Sequence, residues 1–93
     1  MRAVINDTVV AESDETIVVE GNHYFPPGSV NADLLTPASR TTVCSWKGTA
    51  NHYDITVDGE TMSNVAWYYP EPLEGAAEIK GYVAFYSQVD VTD

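Results

Sequence analysis

The 93-residue sequence has one cysteine, four basic residues and no long apolar run, and each shortage closes a class of answers. A lone Cys44 cannot form an internal disulfide. Structural zinc needs paired ligands that the chain lacks, so neither staple is expected and folding should need no metal or other cofactor. Fourteen acids against four bases give a net charge of −10, whose field repels phosphate backbones and anionic membranes. Neither nucleic acid nor membrane is therefore an expected partner. The longest apolar runs, such as Ile17-Val18-Val19, fall far short of the roughly 20 residues that a bilayer span needs. Met1 to Asp7 carry one base and no apolar stretch of leader length, which predicts a cytoplasmic location.

The chain does contain enough apolar material for a core. Two Trp, six Tyr and two Phe, with 44% apolar residues, exceed what a disordered chain carries, and the length predicts a single domain over residues 1–93. Short β-branched runs dominate. Ala3-Val4-Ile5, Thr8-Val9-Val10-Ala11 and Thr16-Ile17-Val18-Val19 are separated by Asn6-Asp7 and Ser13-Asp14-Glu15, which predicts a three-strand opening meander. Phe25-Pro26-Pro27-Gly28 ends any strand holding His23 and Tyr24. Ser29 to Leu35 fits one or two helical turns capped by Ser29 and stopped by Pro37. Tyr53, Ile55 and Val57 alternate with Asp54 and Thr56, and Asp58-Gly59 is a preferred hairpin turn. The return strand puts Val65, Trp67 and Tyr69 on one face and Ala66 and Tyr68 on the other. Glu74 to Lys80 fits one helical turn, Tyr82 to Tyr86 a strand and Val89 to Val91 another. The fold class is mainly β: small antiparallel sheets with one or two short helical turns.

Three clusters hold the chemistry. Glu20-Gly21-Asn22-His23-Tyr24 gathers an acid, an amide, an imidazole and a phenol, although a turn at Gly21-Asn22 explains the same residues structurally. Thr42 to Gly48 contains Cys44, Trp46 and Lys47. The stretch from Leu34 to Tyr53 holds two bases and no acid, a local charge of +2 against −12 in the remainder, so Lys47 can attract an anionic group or pair with a structural acid. Cys44 is nucleophilic only beside a base or cation, and burial is its ordinary role. An extended segment puts Cys44 and Lys47 on opposite sides, whereas a turn at Ser45-Trp46 brings them to one side. Val65-Ala66-Trp67-Tyr68-Tyr69-Pro70 places successive rings on opposite faces; Trp67 is assigned to the core and Tyr68 to a pocket.

Read together, Glu20 to Pro26, Thr42 to Ala50, Ala66 to Pro70 and Val83 to Tyr86 resemble the small bacterial domain-of-unknown-function family 427 over nearly the whole chain. The family pattern usually has proline where this chain has Ser45, a departure that loosens the turn before Trp46. The resemblance implies a compact β-rich domain of the β-tent type, an architecture that often carries zinc in other families. A nucleotidyltransferase label is sometimes attached to the family. Nucleotidyl transfer needs closely spaced metal-holding carboxylates and a phosphate-cradling glycine loop, and this chain has neither an Asp-x-Asp nor a Gly-rich loop.

The resulting expectation is a pocket formed by Glu20, Asn22, His23, Tyr24, Lys47, Trp67 and Tyr68 that binds a small anionic or aromatic ligand, with self-association left open. If a reaction occurs, His23 or Glu20 moves protons and Lys47 stabilises negative charge, with Cys44 the less favoured nucleophile. The alternatives are a nucleotidyltransferase-like enzyme and a protein-interaction module that uses the aromatic surface.

Overall fold

Three two-residue turns set the hairpins. In the computed structural model, which describes residues 1–93, β1 (Arg2–Ile5) turns at Asn6-Asp7 into β2 (Thr8–Glu12). β3 (Ile17–Val19) turns at Glu20-Gly21 into β4 (Asn22–Tyr24). After the edge strand β5 (Leu35–Cys44), β6 (Gly48–Val57) turns at Asp58-Gly59 into β7 (Glu60–Tyr68). Both residues of each turn have positive φ, from 47° at Asn6 to 81° at Gly21. This pairing has the backbone twist that a two-residue hairpin favours. Asn, Asp and Gly adopt it readily. Glu20, at φ 53°, has no short side chain to bond its own backbone and is the strained member.

The strands form three antiparallel sheets. β5-β6-β7-β8 is the largest, with β8 at Val83–Phe85; β2-β1-β9 uses Asp90–Thr92 as β9; β3 and β4 pair alone. The opening meander therefore loses its third strand. β9 takes the free side of β1, and β3 turns Ile17 and Val19 toward a different apolar cluster. The small hairpin is tied to the large sheet where Phe25 and Val83 exchange both backbone hydrogen bonds, at 2.8 and 2.9 Å.

β5 was not expected as a strand, because Leu35 reads as the end of a helical segment that Pro37 stops. It lies at the open side of the sheet, where a missing proline N–H costs no ladder bond, and its register shifts between Pro37 and Thr41. The helical segment expected after Ser29 is two single 3-10 turns, Pro27–Ser29 and Ala32–Leu34. Ser29 is not the cap: its hydroxyl donates to the Pro26 carbonyl at 2.7 Å, and Asn31 caps the second turn by accepting from the Asp33 amide. A third 3-10 segment, Glu74–Ile79, packs Ala76 and Ile79 inward. None of these helices is long and apolar enough to cross a membrane.

The large sheet is covered on both faces. Ile55, Val57, Ala66, Val83 and Phe85 join Phe25 and the first sheet in one cluster; Ala50, Trp67, Tyr69 and Ala84 join Tyr24 and Ile79 in the other. Trp67 and Tyr68 thus lie on opposite faces, as their alternation requires, with Trp67 buried and Tyr68 half-buried. Val65 departs from the expected face and packs with Ala66. Between Ile55 and Tyr53, the return strand carries extra residues around Asn64, whose φ is 56° and whose amide donates to Asp54 Oδ1 at 2.8 Å, and this bulge resets the alternation.

Trp67→Ala removes a ring packed against Tyr24 and Tyr86 and should cost roughly 3–5 kcal/mol of unfolding free energy. Tyr68→Phe keeps the ring and removes a hydroxyl that accepts a 3.5 Å hydrogen bond from Asn51, and should cost under about 1 kcal/mol. Urea denaturation of the two variants checks the difference; a larger loss from Tyr68→Phe would reverse the assignment of faces.

Candidate functional site

Lys47 ends the Ser45–Lys47 turn between β5 and β6, and its side chain folds inward until only 8% is exposed. An ammonium removed from water must be paired. Its partner is Glu20, 27 residues away on the strained hairpin turn, which accepts a hydrogen bond from Nζ while its own side chain stays 52% exposed. Nζ also lies 5.5 Å from the ring centroid of Trp46 and 5.6 Å from that of Tyr69, within cation–π reach. Cys44 is half-buried against the same cluster, so the turn brings it and Lys47 to one side, both bearing on the Tyr69 phenol.

The charges answer to these contacts. The hydrogen bond from Lys47 holds the Glu20 carboxyl below its ordinary value, against a weaker opposing effect of burial. Burial pushes the Lys47 ammonium down, but the bond to Glu20 and the negative character of the Tyr24 and Tyr69 oxygens outweigh it, and the net shift is upward. Burial raises the Tyr69 phenol, opposed by the Lys47 charge.

Beyond the ion pair the same face continues as a chain of rings. The Tyr24 hydroxyl accepts from Trp67 Nε1 at 3.2 Å, with the rings edge to face. Trp67 packs on Tyr86 at 4.5 Å, and Tyr86 shares a 3.1 Å hydrogen bond with Nε2 of buried His52, whose Nδ1 has no partner. Burial and the Arg40 charge keep the His52 imidazole below its ordinary value. A cleft of about 360 Å³ opens beside this chain, with Gly21, Asn22, His23, Tyr86 and Ser87 in its wall.

Of the seven residues expected to share one pocket, Glu20, Tyr24, Lys47 and Trp67 meet on one face of the sheet. Asn22 and His23 line the neighbouring cleft, where His23 Nδ1 is bonded to the Thr16 hydroxyl at 2.9 Å. Tyr68 is separated from them by the sheet itself and stacks on Tyr53 at 5.0 Å. Four participants were missed by sequence: Trp46, Tyr69, Tyr86 and His52. Tyr69 lies two residues beyond Trp67, and Tyr86 two beyond Ala84, so strand alternation was the available signal for both.

The fold and site together define a class: a small antiparallel β domain whose one buried ammonium sits among aromatic rings. The chain belongs to the family described as domain of unknown function (DUF427), whose profile matches residues 1–93. No curated protein matches it.

Two outcomes follow from the charges. Glu20→Gln strands a buried ammonium, whereas Lys47→Met leaves a half-exposed carboxylate that water can reach, so the first should lower the melting temperature more than the second. The pH dependence has a definite shape. Groups held low, Glu20 below 4.5 and His52 below 6.5, stabilise fully above those values and lose their contribution as pH falls toward the folded value. Lys47 is held above 10.5, so its contribution is whole below that value and is lost as pH rises through the higher folded value. Urea midpoints should decline below pH 6.5 and again below 4.5, and His52→Phe should abolish the first decline alone.

Proposed function

We propose that this chain binds a small anionic, ring-bearing ligand on the face where Lys47 sits among Trp46, Tyr69 and Tyr24. The observation that carries the reading is the burial of Lys47: a chain of net charge −10 keeps one ammonium out of water, ringed by aromatic faces, with a single carboxylate as counterion. Such a group exerts a concentrated local field on an anion. The cleft lined by Asn22 and His23 supplies hydrogen-bonding groups next to the Glu20 turn, and Trp46, 41% exposed, supplies a flat apolar surface. Binding is the function proposed, and proton transfer by His23 or Glu20 is an addition that binding does not require. A cytoplasmic setting suits Cys44, which has no disulfide partner.

A protein-interaction surface is the second reading, favoured by the exposed Val43, Trp46 and Leu73. Nucleotidyl transfer draws no support from the side chains, since nowhere do three or more His, Cys, Asp or Glu gather as metal ligands would. A thermal-shift screen of metabolites tests the main reading. A ligand at 100 times its dissociation constant adds about 2.7 kcal/mol, a rise on the order of 10–20 °C for a domain of this size. The rise should vanish in Lys47→Met. A ligand that stabilises Lys47→Met as well as the parent chain would remove Lys47 from the site.

A further inference from the structure

We infer that the ligand is a flat monocarboxylate, with an aromatic body of the benzoate type, and that Glu20 is its tethered stand-in, holding the Lys47 ammonium until the ligand displaces it. This deepens the ligand-binding reading above and rests on it.

Three features of Glu20 support the role. It occupies the first position of a tight turn at φ 53°, where Asn6 and Asp58 stand in the other two hairpins. The turn itself does not call for a glutamate, so the strain is tied to what the carboxylate does. The pair is also lopsided in exposure, 52% for the Glu20 side chain against 8% for Lys47. The carboxylate can swing into water on its short hairpin, while the ammonium, set between two rings, cannot follow. Finally, the Glu20 stem is two methylenes, whereas Trp46 presents a large, partly exposed ring beside the same ammonium. A ligand with a flat body can cover more of that ring than a two-methylene stem can.

The charge count fixes the class further. Arg2 pairs with Glu12 at 3.8 Å, Arg40 acts on His52, and Lys80 follows the third 3-10 segment. Glu20 forms an ion pair with no cation other than Lys47, so a second negative charge on the ligand would meet only the surrounding negative field. One carboxylate matches the site and a phosphate dianion does not.

The test is titration calorimetry at neutral pH with sodium benzoate, sodium acetate and inorganic phosphate, on the parent chain, Glu20→Gly and Lys47→Met. Glycine suits the positive φ of the turn and removes the stand-in. If Glu20 holds the ammonium about nine-tenths of the time, its removal should tighten benzoate binding about tenfold. Acetate should bind more weakly than benzoate, phosphate more weakly still, and Lys47→Met should bind none of them. Benzoate should also raise the melting temperature of Glu20→Gly more than that of the parent chain. Circular dichroism confirms the fold, and Glu20→Gln, with the same expected order, replaces the glycine variant if that fails to fold. Equal benzoate affinity with and without Glu20, both lost in Lys47→Met, overturns the stand-in and leaves the ligand site standing. Tighter phosphate binding overturns the monocarboxylate class. Benzoate binding that survives Lys47→Met overturns the site reading and this inference together. No benzoate binding by any variant overturns the inference alone, provided a screened ligand still depends on Lys47.

Discussion

A single ammonium withdrawn from water imposes the terms on its surroundings. Lys47 has to find a carboxylate, and the one it finds lies on a different hairpin, held in place just after β4 where Phe25 and Val83 exchange backbone hydrogen bonds. The contact therefore requires the large sheet and the small one to be in place together. Cation–π contacts from Trp46 and Tyr69 replace part of the lost hydration, and the strained turn at Glu20 is the cost of reaching across.

Much of the fold was legible because tight turns have strong local chemistry. Asn6-Asp7 and Asp58-Gly59 marked their hairpins, and the alternation of Tyr53, Ile55 and Val57 marked the central strand. β5 escaped because its proline and small polar residues resemble a loop, and only its position at the side of a sheet makes Pro37 tolerable. The third opening strand was found but misassigned: its partner follows directly through a turn at Glu20-Gly21, one position before the turn that Gly21-Asn22 suggests. β3 pairs with β4 instead, and the free side of β2, where a meander would have placed it, is met by the bridge between Ala11 and Val30.

The site was half legible for a related reason. Charge bookkeeping singled out Lys47 and cluster composition singled out Glu20 and Tyr24, but distance in sequence hid that Glu20 and Lys47 touch. Tyr68 was joined to residues that the alternation of its own strand places across the sheet. His52 was missed because a strand with one apolar face invites the assumption that the other meets water. Here Tyr24 and Ile79 cover the second face, and an imidazole on it is buried as fully as its aliphatic neighbours.

The irregular edge of β5 has a consequence for how copies of this protein behave in company. A straight outer strand offers a row of free N–H and C=O groups on which another chain can add, and sheets grow into aggregates by that route. Pro37 deletes one donor from the row, and the shift between Pro37 and Thr41 bends the register that an incoming strand would have to match. Each copy also repels the next through its net charge of −10. The residues that disguise β5 as a loop also make its outer side a poor template for an incoming strand.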